Sequence, residues 1–306
     1  MEIRTVSIIG MGALGILFGR QMSKNMPKGD LHFIASAERI ARYQMEGVFC
    51  NEERCDFDYV RPDEKTRLAD LLIFAVKYTA LPQAIEDARN QIGQHTILLS
   101  LLNGIQSEED LAKAYGQENV LYCVAQGMDA VKVGNRLTYS QAGQLCFGEK
   151  DSRQTERVCA VADFFASVGV SYAIPADMQK ALWNKFMLNT GLNQVSAIMH
   201  TGYGAVQHEG AVRDKTVAAM REVMAIAEKK GIRLTETDIQ NWMDLIATFD
   251  PNGMPSMRQD FDAKRPSEVE LFAGTVIRLG KGLGMPTPVN DEIYRIVQET
   301  EKSYDS

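Results

Sequence analysis

The sequence predicts two domains: an α/β, Rossmann-like dinucleotide-binding domain over residues 1–175 and an all-α domain over residues 176–306. Three observations predict this. Short β-branched runs alternate with amphipathic stretches through the first half of the chain. The first of those runs opens onto a glycine triplet, Gly10, Gly12 and Gly15. Beyond Pro175 almost every segment carries helical periodicity.

In order, the strand signals fall at 5–9, 31–34, 71–76, 96–101 and 120–124, with helical patterns between them. Strands that recur with helices in between imply a parallel sheet covered on both faces. Two further strand signals, 136–141 and 144–147, flank Ala142-Gly143, which reads as a tight antiparallel turn added to that sheet. A helix over 151–167 and a short strand over 170–174 complete the first domain. The second reads as helices over 178–200, 210–230, 237–248, 266–283 and 289–303. A cleft between two domains is a common place for a small-molecule site.

The chain has 306 residues, 45% of them apolar and 24% charged, enough for two medium domains. A net charge of −7 argues against nucleic acid or an anionic membrane as partner. No run approaches the roughly 20 apolar residues of a membrane helix, and the N-terminus runs straight into a strand and a glycine turn. We therefore expect an unanchored, cytoplasmic protein. Five cysteines are an odd number, and Cys50 and Cys55, the two that lie close in sequence, lack the further ligands of a zinc site. Reduced thiols fit a cytosolic compartment. His32, His95, His200 and His208 are scattered without metal-ligand spacing, so no metal is expected. Monomer and homodimer both remain open.

The glycine turn, Gly10-Met11-Gly12-Ala13-Leu14-Gly15, has the G-x-G-x-x-G spacing and sits between a strand and a helix. In that context Gly10 permits the tight turn, Gly12 lets backbone approach a pyrophosphate, and Gly15 lets the helix pack on the sheet. The backbone at Ala13 and Leu14 begins the helix whose free amides attract phosphate charge. A purely structural turn is the alternative. An acidic residue at the end of the second strand would indicate NADH. Here that end reads Ala35-Ser36-Ala37-Glu38-Arg39, and Ser36, Arg39 and Arg42 suit a 2′-phosphate instead, so NADPH is expected and NADH is the alternative. Arg39 and Arg42 also suit a solvated helix face.

Lys185, Asn189 and Asn193 recur every four positions on a helix whose other residues include Trp183, Phe186, Met187, Leu188 and Leu192. Such a helix is mostly buried, and a buried amine and two amides need partners. An ammonium can protonate and stabilise a ketone oxygen that becomes an alkoxide as hydride arrives, and amides can fix the substrate. A second polar cluster, Ser256-Met257-Arg258-Gln259-Asp260, is followed by Arg265-Pro266-Ser267-Glu268. Ser267 before Glu268 also resembles a helix start, where an acid simply complements the dipole.

These residues together make the chain resemble the ketopantoate reductase family over nearly its full length. The resemblance is carried by the glycine turn, Phe74-Ala75-Val76-Lys77, Leu102-Asn103-Gly104, Trp183-x-Lys185-x-x-x-Asn189-x-x-x-Asn193, and Ser256-Met257 with Glu268. It implies NADPH-dependent reduction of 2-dehydropantoate to D-pantoate in pantothenate and coenzyme A biosynthesis. By the same resemblance Lys185 is the proton donor, and Glu268 is its charged partner and also meets the cofactor. Asn103 lies between nicotinamide and substrate, Asn189, Asn193 and Ser256 hold the hydroxy acid, and Lys77 lies beside the adenosine phosphate end of the dinucleotide. Three positions depart from the family pattern: Gln194 stands for a proline, Tyr203 for a further substrate asparagine, and Ser36 for an arginine. The first two bear on which 2-oxo acid is reduced, the third on which dinucleotide is bound. Two other readings compete: a related NAD(P)-dependent 2-hydroxy acid dehydrogenase for another branched 2-oxo acid, and a non-catalytic dinucleotide-sensing protein. Intact Lys185 and Glu268 weigh against the second, since a pure binder has no chemical need for a proton donor.

Overall fold

The strand-forming runs of the first half are aliphatic at nearly every position, as strands buried on both faces must be. In the computed structural model, which describes residues 2–304, these runs are among twelve strands: β1 (Val6–Ile9), β2 (Leu31–Ile34), β3 (Phe49–Cys50), β4 (Glu53–Arg54), β5 (Asp58–Val60), β6 (Leu71–Phe74), β7 (Ile97–Ser100), β8 (Val120–Met128), β9 (Val131–Val133), β10 (Arg136–Thr138), β11 (Ala142–Gly148) and β12 (Tyr172–Ala173). The chain divides into two compact units, Met1–Ala181 and Leu182–Ser306.

In the first unit an eight-stranded sheet has the order β12-β11-β8-β7-β6-β1-β2-β5. The stretch from β8 to β5 is parallel throughout, and β11 joins β8 antiparallel. From β1 the chain steps outward to β2 and later returns to β6 on the other side, so the strand order reverses between β1 and β6. Side chains alternate between faces. Val6, Ile8, Leu71 and Ile73 join one core cluster with α1 (Ala13–Ser23) and α5 (Glu156–Val168). Ile9, Leu72, Phe74 and Leu98 join another with the helices Leu81–Ala88 and Ser107–Tyr115. The five cysteines are free, and Cys159 alone among them is exposed.

The expected turn at Ala142-Gly143 is not formed. Gly143, at φ +65°, lies inside β11 between the registered pairs Ala142–Met128 and Gln144–Gln126. The tight turn is instead Gly134-Asn135, which joins β9 to β10, and Gly134 supplies the positive φ of 56° that such a turn needs. β9 and β10 belong to a separate sheet of order β4-β3-β10-β9. The expected helix over 151–167 begins only at Glu156, where the Thr155 side chain caps the Val158 N–H.

The second unit is helical. Its main elements are Met178–Leu188, which begins in the first unit, then Gln194–Ile198, Gly204–Gln207, Ala211–Lys229, Glu236–Ile246, Ser256–Asp262, Thr275–Leu283 and Pro288–Lys302. The continuous helices expected over 178–200 and 266–283 are each interrupted by a π turn, Asn189–Asn193 and Glu270–Gly274. The second also starts late, because Lys264 at φ +49° and Pro266 break the helical path ahead of it. No helix of the described residues is long and apolar enough to cross a membrane.

Candidate active site

The first unit gathers its predicted residues at one edge of the sheet. Ile9 pairs with Ile34 on one side and Phe74 on the other, and Phe74 pairs with Ser100. The carboxyl ends of β1, β2, β6 and β7 therefore finish level, and Gly10, Ser36, Lys77 and Asn103 follow those ends. This is the edge where open α/β sheets bind ligands, and the strand-order reversal between β1 and β6 falls within it.

The three glycines are not equivalent. Gly10 has φ +110°, and a Cβ there would lie 2.5 Å from the Ala75 carbonyl oxygen. At Gly15 a Cβ would lie 2.0 Å from the Gly10 oxygen. Both are required by the fold itself. Gly12 has an ordinary extended backbone, φ −74°, and a Cβ there would meet the Ala75 oxygen at 3.3 Å. Packing demands less of Gly12 than of Gly10 or Gly15, so its missing side chain also leaves room for close approach of a ligand. Gly12 is also the N-cap of α1, and no side chain caps that first turn. The cradle fits a dinucleotide pyrophosphate.

At the end of β2, Ser36 caps the helix Ala37–Glu46, its hydroxyl accepting from the Arg39 N–H at 3.4 Å. Arg39 and Arg42 are exposed, and neither pairs with a carboxylate among the described residues; Arg42 lies 5.4 Å from the Tyr43 ring centroid. Lys77 is exposed at the start of the short helix Tyr78–Ala80, and Asn103 is half-buried beside Gly104 at φ +90°. A cavity of about 730 Å³ opens nearby against His32, Ile40, Gln44, Asp58 and Tyr59, but none of the predicted site residues lines it.

Sequence reasoning passed over one carboxyl in this neighbourhood. Glu108 begins the helix that follows Asn103 and is fully buried, accepting from the Ser107 hydroxyl at 3.0 Å, which in turn accepts from Ser100 at 2.7 Å. In sequence it reads as an ordinary first-turn acid beside Glu109 and Asp110. Burial pushes its carboxyl up to about 7. The raised value favours the protonated form in the fold, so stability is greatest below the ordinary carboxylate range and falls as pH rises from about 4.5 to about 7. A shift of this size corresponds to about 3 kcal/mol. Glu108→Gln should remove most of that loss, and urea melts of both proteins at pH 5 and pH 8 measure it. Parallel pH dependence in the two would refute the assignment.

In the second unit the predicted polar stripe is present, with a difference in its geometry. Lys185 is half-buried, Asn189 and Asn193 are buried, and Trp183, Phe186, Met187, Leu188 and Leu192 around them are buried too. Four α-helical residues overshoot a full turn by about 40°, so a regular helix would spiral the three side chains apart. The π turn at Asn189–Asn193, with its wider i→i+5 spacing, turns less per residue and swings Asn193 back. Asn193 Nδ2 accordingly donates to Asn189 Oδ1 at 3.4 Å. Gly191 makes this possible, because a Cβ there would lie 2.6 Å from Met220 Cγ and 2.8 Å from the Thr216 carbonyl. Burial pushes the Lys185 ammonium down to about 8.

Ser256 is exposed at the first position of its helix, which packs on Gln194–Ile198 and on the first π turn. Glu268 precedes the second π turn, and its carbonyl accepts the Leu271 and Phe272 N–H groups at 3.0 and 3.2 Å. Tyr203 packs edge-on against Phe249 with centroids 5.0 Å apart, and its ring leaves no room for a Cβ at Gly253, three residues before Ser256. An amine able to give a proton, beside two amides able to orient an oxygenated ligand, is an arrangement suited to reducing a carbonyl.

Comparison with known proteins agrees over both units. The profile of the family described as Ketopantoate reductase PanE/ApbA matches residues 6–152, and its C-terminal counterpart matches residues 177–301. A 2-dehydropantoate 2-reductase from Streptococcus pyogenes serotype M3 is 26% identical over 303 residues, covering 97% of each chain. Among solved structures, a PanE/ApbA family ketopantoate reductase from Ralstonia eutropha JMP134 has a TM-score of 0.86 at 24% identity, covering 99% of this chain and 100% of that one. D-mandelate dehydrogenase, in ternary complex with NADH and anilino(oxo)acetate, has a TM-score of 0.87 at 21% identity, again covering 99% and 100%. At these identities the two structures speak to the fold.

Proposed function

The chain belongs to the ketopantoate reductase family, and within it we propose that this protein reduces 2-dehydropantoate to D-pantoate with NADPH, in the cytoplasm, on the route to pantothenate and coenzyme A. The observation that carries the proposal is the line of Lys185, Asn189 and Asn193, with its amine lowered to about 8.

Gly10, Gly12, Ala13, Leu14 and Gly15 would hold the pyrophosphate, with Ser36, Arg39 and Lys77 toward the adenosine end and Asn103 and Glu268 toward the nicotinamide. When bound, the reduced nicotinamide supplies hydride to the ketone carbon. Lys185 gives a proton from Nζ to the ketone oxygen, which completes the alcohol and leaves a neutral amine to be reprotonated from water. A lysine lowered to about 8 is a stronger acid than an exposed one and still carries its proton at neutral pH. Asn189, Asn193 and Ser256 offer hydrogen bonds to the hydroxyl and carboxylate of the substrate. By the family resemblance Glu268 would supply a negative charge for the ammonium form of Lys185 once ligands are bound, whereas burial alone causes the shift of Lys185 here.

A second reading has an aryl or branched 2-oxo acid as the substrate. It is favoured by Tyr203, an aromatic ring packed against Phe249 at a position where the family resemblance leads one to expect an amide, and by the fold shared with D-mandelate dehydrogenase. Oxidation of NADPH and of NADH by the purified protein, against ketopantoate, benzoylformate and branched 2-oxo acids, separates the readings. Preference for ketopantoate supports the first, preference for benzoylformate the second, and no oxidation with any of them removes both.

The NADPH preference has its own test. One charge-assisted hydrogen bond to phosphate contributes about 1.5–3 kcal/mol, roughly 10- to 150-fold in affinity. Arg39→Ala should weaken NADPH by that factor and leave NADH nearly unchanged in fluorescence titrations. Equal losses for both dinucleotides would remove Arg39 from the phosphate site.

A further inference from the structure

Gln194 touches both π turns of the second unit. It directly follows the first, and its side chain is fully buried. Its Nε2 donates to the Thr190 carbonyl at 2.8 Å and to Asn290 Oδ1 at 3.3 Å, while its Oε1 accepts from the Ala273 N–H at 3.0 Å. Thr190 belongs to the first π turn and Ala273 to the second. Behind Gln194, Asn290 donates from Nδ2 and from its backbone N–H to Glu222 Oε2 at 2.7 and 3.0 Å, and the Val289 N–H donates to Glu222 Oε1 at 2.8 Å. One carboxylate on Ala211–Lys229 thus fixes the start of Pro288–Lys302, and Asn290 carries that constraint to Gln194.

The chemistry explains why an amide stands here. A π turn displaces the i→i+4 ladder and leaves backbone groups without their usual partners. Buried and unpaired, such groups are costly, so something must reach them. Gln194 gives a donor to a carbonyl of one π turn and an acceptor to an N–H of the other. No apolar side chain of the same size can do either. The first π turn aligns Asn189 with Asn193, and the second follows Glu268 by two residues.

We propose that Gln194 is a positioning residue: by clamping the two π turns together it sets the spacing between the Asn189 and Asn193 amides and the segment that opens at Glu268, and thereby how tightly the 2-oxo acid is held. The inference rests on the reading of Asn189 and Asn193 as substrate ligands.

Two variants of the full-length protein test it. Gln194→Met keeps length and removes every polar atom. It should raise KM for the preferred 2-oxo acid by about tenfold, with a smaller change in kcat, no change in NADPH affinity, and no shift in the alkaline limb set by Lys185. A residue that merely supports the fold would lower the melting temperature and the active fraction, hence kcat, and leave KM alone. Gln194→Glu, when its carboxyl is protonated, keeps one O–H donor and one carbonyl acceptor, enough for the Thr190 and Ala273 contacts that join the two π turns but not for the additional one to Asn290. Its KM should match the parent at low pH and rise as the carboxyl ionises near Glu222, a dependence absent from the parent. Parental KM in both variants overturns the proposal, and the Glu variant decides it if the Met variant does not fold. Amide hydrogen exchange gives a readout that does not depend on activity: Gln194→Met should speed exchange in 189–194 and 270–274 together, and a response confined to one segment also overturns the clamp. If the parent reduces no 2-oxo acid, the functional reading fails while the exchange result still decides the clamp.

Discussion

Lys185→Ala should lower the rate of 2-oxo acid reduction by about 10²- to 10⁴-fold, the usual cost of removing a positioned general acid, while dinucleotide affinity stays at the parental level. The two parts belong together, because the dinucleotide cradle is built by the first unit and the amine by the second. The parent carries its own control in its pH profile. A lysine whose ammonium is pushed down to about 8 loses its proton above that pH, so reduction should decline on an alkaline limb centred there rather than near the ordinary value of 10.5. The stability sign is the reverse. Burying the charge opposes folding while the ammonium is protonated, and that cost disappears as pH rises from about 8 to 10.5. Steady-state rates of parent and variant from pH 6 to 10, at saturating dinucleotide, test the loss of turnover and the alkaline limb, while fluorescence titration and urea melts over the same range test the dinucleotide affinity and the stability sign. Near-parental turnover in Lys185→Ala would falsify the mechanism, whatever the substrate.

The second large effect is expected at Gly12. Gly12→Val should cost at least about 10²-fold in NADPH affinity, because losing even two charge-assisted contacts to the pyrophosphate is worth several kcal/mol. Most of the fold should survive, since φ at Gly12 is −74° and the Ala75 carbonyl oxygen, 3.3 Å from a Cβ there, has to give by only a few tenths of an ångström. Gly10→Ala makes the contrasting case. It forces a side chain into φ +110° and to within 2.5 Å of the Ala75 oxygen, so it should lower the melting temperature outright. Titration of Gly12→Val by NADPH fluorescence, beside thermal melts of both variants, distinguishes a ligand contact from a packing contact. Parental affinity in Gly12→Val would leave the turn as structure only.

Much of this fold and site is legible in the sequence alone, and the exceptions have physical causes. The parallel strands β1, β2, β6, β7 and β8 were readable because they are largely aliphatic runs, and β2 falls where its pattern ends, at Leu31 and Ile34; β5, Asp58–Val60, was not, because it is three residues long and only half-buried at two of them. The small second sheet was not, because Glu53–Arg54 and Val131–Val133 are short, exposed and shaped by partners distant in sequence. The Gly134-Asn135 turn was overlooked in favour of Ala142-Gly143, although both contain glycine. What separates them is the pairing of Gln144 with Gln126 across from β8, which local sequence does not encode. On the site side, the spacing of Lys185, Asn189 and Asn193 was visible as a stripe. The π turn that aligns its last two members was not, because it depends on Gly191 meeting Thr216 and Met220 and on Gln194 reaching Ala273. Glu108 escaped notice for a related reason: an acid at a helix start looks the same whether water or protein surrounds it.

The small sheet has a consequence for how the chain comes to be folded. Its hairpin β3–β4 is completed by β10, and the Asn51 side chain donates to the Tyr139 carbonyl 88 residues further along. While the chain is being synthesised, Phe49 and Cys50 therefore emerge long before the strand that pairs with them. The parallel pairs β1–β6 and β6–β7 bridge shorter separations and can close first. A nascent chain halted before residue 136 would hold much of the dinucleotide edge while leaving one edge of β3, with Phe49 and Cys50, unpaired. That is the kind of transient surface on which aggregation begins and chaperones act.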